Sequence, residues 1–116
     1  MVLEKLFGNA TATKCLLFLA RYEEGVTREI SEAFKIPRAQ VFIQLAKLEN
    51  AGILSSRILS NIRIYRLNPR SGISGELKLL LEKYIKDQMP QEKYSDFYLI
   101  RRRPRTKGKP LKGVYE

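Results

Sequence analysis

Histidine is absent from all 116 residues, which removes a histidine-based catalytic triad and any histidine metal site. Cysteine occurs once, as Cys15, so an intramolecular disulfide is excluded and a reducing cytoplasm is the expected setting. Cys15 falls in the apolar run Cys15-Leu16-Leu17-Phe18-Leu19. It is read there as a small core residue, with a reactive thiol sensor as the sharper alternative. No apolar stretch approaches the roughly 20 residues of a bilayer crossing, and no signal-peptide pattern opens the chain. Glycine-rich phosphate loops of the Walker or dinucleotide type are missing. The carboxylates fall singly on expected helix surfaces and suggest no acid–base pair. The expectation is a non-enzyme with no catalytic residue, no metal and no cofactor.

What is abundant is positive charge. Twenty-two lysines and arginines face 12 acidic residues, a formal +10 that points to a polyanionic partner. The excess is uneven: residues 97–116 hold 7 basic and 1 acidic residue, so most of it lies in a tail. Apolar residues make up 44% of the chain, enough for one core without disulfides or metal.

Residues 27–52, TREISEAFKIPRAQVFIQLAKLENAG, organise the rest. Ile30, Ala33 and Phe34 share one helical face; Val41, Leu45 and Leu48 recur at the four- and three-residue spacing of a second buried stripe. Between them stands Lys35-Ile36-Pro37. Proline has no N–H and pushes its predecessor toward extended geometry, so one continuous helix is forbidden. At a helix start the same proline is harmless, because the first N–H groups have no intrahelical partner. Ala51-Gly52 closes the second helix, with glycine free to take the left-handed conformation. Helix, short turn, helix is the layout of a helix-turn-helix, although many small helical domains contain such a corner.

Two runs, Ile53-Leu54-Ser55-Ser56-Arg57-Ile58 and Ile62-Arg63-Ile64-Tyr65-Arg66-Leu67, flank Leu59-Ser60-Asn61 and predict a β-hairpin. With this hairpin the span from about Leu6 to Asn68 resembles the ArsR/MarR-like winged helix-turn-helix regulators of bacteria and archaea. The residues that carry the resemblance are Leu6-Phe7-Gly8-Asn9, the helices of residues 27–34 and 38–52, and the hairpin end Tyr65-Arg66-Leu67-Asn68. The fold class implied is mainly α with a small β-hairpin wing, plus an extra terminal helix and a basic tail. The resemblance implies sequence-specific double-stranded DNA binding by a homodimer, as a transcription regulator and most plausibly a repressor. One cysteine cannot supply the thiolate cluster used by metal-sensing members of the ArsR group.

Residues of the second motif helix that point away from its stripe are expected to face DNA: Arg38, Ala39, Gln40, Phe42, Ile43 and Lys47, with Gln44 at the margin. Glutamine can donate and accept at adenine together, and Arg38 suits a phosphate or a guanine. Phe42 and Ile43 depart from the family's usual polar or basic pattern. They are suited either to thymine methyl groups or to a protein interface. Arg57, Arg63 and Arg66 on the wing are expected at the backbone or minor groove, or else as charges that protect a sheet edge. Tyr65 and Leu67 share a strand face that packs on the body, while Ile58, Ile62 and Ile64 are more apolar than a solvated wing requires.

Flanking helices complete the reading. Residues 1–7 predict a short amphipathic helix with Leu3, Leu6 and Phe7 on one side. Asn9 is an N-cap for a buried helix over about residues 10–22, which Glu23-Glu24-Gly25 ends. Val26 is expected to add a short strand and Thr27 to cap the next helix, with Glu29 in its first turn. Leu77, Leu80, Leu81, Tyr84 and Ile85 form a stripe over about residues 74–88. In proteins that this chain resembles, terminal helices commonly build a two-fold dimer. The expected interface is therefore Leu3, Leu6, Phe7, Leu77, Leu80, Leu81, Tyr84 and Ile85; packing on the helix's own domain is the alternative.

Residues 1–89 are read as the folded domain and 90–116 as an aromatic docking segment with a basic tail. Arg101, Arg102, Arg103, Arg105, Lys107 and Lys109 are expected to clamp phosphates without regard to sequence. Lys107-Gly108-Lys109-Pro110 is loosely similar to an AT-hook. Rival readings are a protein-interaction or antitoxin-type winged helix, since chains resembling this one can accompany toxin-like nucleotidyltransferases, and RNA binding through the tail. No membrane partner is expected.

Overall fold

A computed structural model describes residues 2–88, so the tail assignments from Arg101 to Lys109 and the boundary at residue 89 lie outside the described residues. Seven elements follow in order. These are α1 (Val2–Phe7), α2 (Ala10–Tyr22), α3 (Thr27–Phe34), α4 (Arg38–Asn50), β1 (Leu54–Leu59), β2 (Ile62–Leu67) and α5 (Ser74–Gln88).

Helix α2 is the central post, and α1, α3, α4, α5 and β2 all pack against it. Its start is set by Asn9, whose side-chain oxygen accepts from the Ala12 N–H at 2.9 Å. That bond satisfies one of the donors left open at a helix start. Thr13, fully buried, donates its hydroxyl to the Asn9 carbonyl at 2.7 Å, so its burial leaves no polar group unsatisfied. From Cys15 to Ala20 every residue is buried, and this run meets Ile30, Val41, Leu45, Leu54, Tyr65 and Leu81 in one core. The Asn9 side chain also donates to Gln44 Oε1 of α4 at 3.0 Å. Asn9→Ala is therefore expected to cost about 0.5–2 kcal/mol in a urea titration, the range for a lost N-cap. A loss near zero would mean that the cap is replaced by water.

The link from α2 to α3 corrects two sequence expectations by one residue each. The strand residue is Gly25, not Val26: Gly25 N–H donates to the Tyr65 carbonyl at 3.0 Å and Tyr65 N–H returns the bond at 2.8 Å. A Cβ on Gly25 would come within 2.7 Å of Phe18 Cε1, so only glycine lets this backbone approach both β2 and the α2 core. The cap of α3 is Val26 and not Thr27, which is its first helical residue. Valine has no acceptor to offer, and the capping contact comes from the other side: Glu29 Oε1 accepts from the Val26 N–H at 3.2 Å.

The hairpin pairs Leu54 with Leu67 through to Leu59 with Ile62, so its loop is Ser60-Asn61 alone. Both loop residues have positive φ, 53° and 66°, the twist-matched geometry of a two-residue hairpin. Leu59 therefore belongs to β1, which runs one residue into the expected turn. At the hairpin base Asn68 Nδ2 donates to the Gly52 carbonyl at 3.0 Å and its N–H to Ile53 at 2.9 Å. This ties the exit of β2 to the end of α4.

Helix α5 buries Leu81 and Ile85, with Leu77 and Tyr84 partly buried, against the same core. Leu3 of α1 joins them. This corrects the interface expected from the sequence: Leu3, Leu81 and Ile85 are 3%, 0% and 6% exposed and have almost no surface to offer a second chain. Leu6, Phe7 and Leu80 stay exposed, together with Val2, Ile73 and Leu79, which the stripe had not included. No described helix is long and apolar enough to cross a membrane.

Candidate nucleic-acid interface

The turn between α3 and α4 is closed by a set of short-range bonds. Lys35 adopts the left-handed conformation at φ 57°, and its N–H reaches the Ser31 carbonyl. Ile36 N–H donates to the same carbonyl at 3.1 Å, while Ser31 Oγ donates to the Ile36 carbonyl at 2.6 Å. Pro37 then serves as the N-cap of α4, its carbonyl accepting from Gln40 at 3.0 Å and Val41 at 3.2 Å. At the far end Gly52, at φ 84°, donates to Glu49 at 2.9 Å and Ile53 to Leu48 at 3.0 Å. Those two bonds make a Schellman closure, which glycine permits without a Cβ penalty. Both ends of α4 are thus fixed, and Val41 and Leu45, fully buried, fix its rotation.

That rotation leaves Arg38, Ala39, Gln40, Phe42, Ile43 and Lys47 exposed, the set expected from spacing. No exposed residue of α4 is acidic. Arg38 and Lys47, with Lys35 in the turn, have no ion-pair partner among the described residues, so the surface carries uncompensated positive charge. Lys35 is not among the DNA-facing residues expected from the sequence; its only signal is a cation two residues before the proline at the start of α4. Gln44 is half-buried and accepts from Asn9, so its amide holds α2 to α4. That bond commits one of the two polar atoms with which a glutamine reads adenine.

The three wing arginines do not share one face. Alternation along the register puts Arg57 and Arg66 on one side and Arg63 on the other. Arg57 makes a two-pronged contact with Glu24, at 2.7 and 3.4 Å. Arg57 stands directly opposite Ile64 in the ladder, so the ion pair lies on the same strand face as Ile64, which is 1% exposed. Arg63 donates to Ser56 Oγ at 2.8 Å, and Ser56 donates in turn to Glu49 Oε2 of α4 at 2.7 Å. Arg66 is exposed with no ion-pair partner among the described residues. Glu24 and Glu49, which hold the wing charges, were not apparent from the sequence because they act across the tertiary fold. Ile58 and Ile62 remain exposed on the wing, as does Leu59. Tyr65 is buried at the wing's root, and burial followed by the Glu49 carboxylate pushes its phenol above the usual range. Among the described residues no group of three or more cysteine, aspartate or glutamate side chains is placed to hold a metal ion.

A helix-turn-helix whose second helix runs into a two-stranded antiparallel hairpin, on a three-helix support, defines the winged helix-turn-helix fold, of mixed α and β structure. No protein-family model matches the chain, and no curated protein matches it by sequence. Among solved structures it is similar to a doubly substituted ZitR of Lactococcus lactis in its apo form. The TM-score is 0.51 and the identity 17%, over 81% of this chain and 79% of that one. At that identity the likeness is one of fold.

Proposed function

We propose that this protein binds double-stranded DNA as a homodimeric transcription regulator acting as a repressor. The supporting observation is the surface of α4, which is anchored at both ends and exposes cations and an amide but no acid. In this fold such a helix enters the major groove. Gln40 would read a base edge and Arg38 a guanine or phosphate, while Lys47 and Arg66 would hold the backbone. Arg57 and Arg63 take part only on leaving Glu24 and Ser56, and Gln44 acts by holding α4 in place. Residues 101–109 would add affinity without specificity. The dimer would be built on Leu6, Phe7, Leu79 and Leu80 in place of the buried Leu3, Leu81 and Ile85.

The test is selection of genomic duplex fragments by the full chain at about 150 mM salt, where purely electrostatic binding is weakened. A protein lacking Arg101 to Lys109 is carried in parallel. A shared two-fold symmetric site, weakened but still selected after the deletion, is the expected result. If about six phosphates are neutralised, affinity falls roughly a thousandfold between about 50 and 200 mM salt. Uniform retention that vanishes with the tail would exclude the regulator and leave a protein-binding winged helix as the better reading.

A further inference from the structure

The first two turns of α4 are poor in the groups that normally read bases. Ile43 is two residues from both Val41 and Leu45, about 200° of helix rotation from each, so it projects straight away from the core. It is 50% exposed, and Phe42 beside it is 52% exposed. Phe42 lies two helical turns before Glu49, on the side whose carboxylate reaches Ser56 of β1, so it faces the wing side of the helix. Neither side chain can donate or accept a hydrogen bond. With Gln44 held by Asn9, Arg38 and Gln40 are the exposed polar side chains of those turns.

The rim decides the occupant. Arg38, Lys47 and Lys35 surround the apolar pair without an exposed acid on the helix, which matches a polyanion. On the floor of a major groove the one apolar group is the 5-methyl of thymine. We infer that Phe42 and Ile43 are specificity-determining residues that read thymine 5-methyl groups, so the preferred site carries thymines where α4 is centred. This rests on the DNA-binding reading above and extends it to the bases selected.

Deoxyuridine tests it, because it removes the methyl and leaves every hydrogen-bonding atom of the base edge unchanged. Affinity of the full chain for its selected duplex is measured with thymine or deoxyuridine at each position under α4. A loss of about fourfold per contacted methyl is expected, the equivalent of one buried methyl-sized group. In the double variant Phe42→Ser, Ile43→Ser, whose surface changes are expected to keep the native melting temperature, the thymine and deoxyuridine duplexes should bind alike. Equal binding of both duplexes by the unsubstituted protein would overturn methyl reading while leaving sequence-specific DNA binding intact. Failure to select any sequence would overturn both.

Discussion

Replacing Leu81 by alanine is expected to lower the stability of the domain by about 2–5 kcal/mol, the cost of an emptied core site. Leu81 is completely buried and belongs to the same cluster as Phe18, Leu45 and Tyr65, so the cavity would open in the centre of the fold. Its neighbour Leu80 is 45% exposed, and Leu80→Ala should change the stability of the single chain by no more than about 0.5 kcal/mol. The contrast separates the core packing of α5 from the dimer contact proposed for it. Urea titrations repeated over a hundredfold range of protein concentration read both: Leu81→Ala should move the midpoint at every concentration. Leu80→Ala should act on the concentration dependence, because association stabilises by mass action. Were Leu80→Ala as damaging as Leu81→Ala in dilute protein, the assignment of the buried stripe would be wrong.

A second large effect is expected at alkaline pH. Burial pushes the Cys15 thiol from 9.0 up to about 12, partly offset by a backbone hydrogen bond. The folded state therefore resists ionisation that the unfolded chain accepts above pH 9. The contribution of the neutral thiol is fully present below pH 9 and is lost progressively as pH rises toward about 12. Tyr65, also raised by burial, acts in the same direction above pH 10. The difference in stability between the unsubstituted protein and Cys15→Ala, followed from pH 8 to 11, isolates the thiol. It should move steadily in favour of the alanine form, and a flat difference would count against a buried neutral thiol. Alkylation at pH 8 gives an independent reading. The thiolate population is suppressed about a thousandfold by such a shift, so reaction should await unfolding. A reactive sensor thiol, the alternative weighed from the sequence, is not what this environment produces.

The bidentate contact of Arg57 with Glu24 and the relay from Arg63 through Ser56 to Glu49 give the wing a different character from the one its composition suggests. An arginine held by a carboxylate is electrically neutral at a distance, and moving it to a phosphate exchanges one charged partner for another. Arg66, exposed and without an ion-pair partner among the described residues, keeps its charge available. Among the described residues the cationic surface of the wing is thus narrower than its count of arginines implies, and Arg66 there, like Arg38 and Lys47 on α4, has no ion-pair partner.

The amino-acid order alone determined the elements and their ends, because those depend on neighbours within about four residues. Asn9 starts α2, Lys35-Ile36-Pro37 separates α3 from α4, Gly52 closes α4 and Ser60-Asn61 turns the hairpin, and each lies within a residue of its expected place. The outward face of α4 was legible for the same reason, since Val41, Leu45 and Leu48 fix its phase. Tertiary structure alone decided what depends on distant partners. Gln44 meets Asn9 across 35 residues and Arg57 meets Glu24 across 33, and no local pattern brings either pair together. It also decided which leucines of two apolar stripes became core. On α5, Leu81 and Ile85 enter the core with Leu77 and Tyr84 packed against it, while Leu80 of the same stripe stays 45% exposed. Periodicity states that a face must be covered; only the shape of the neighbouring helix states by what.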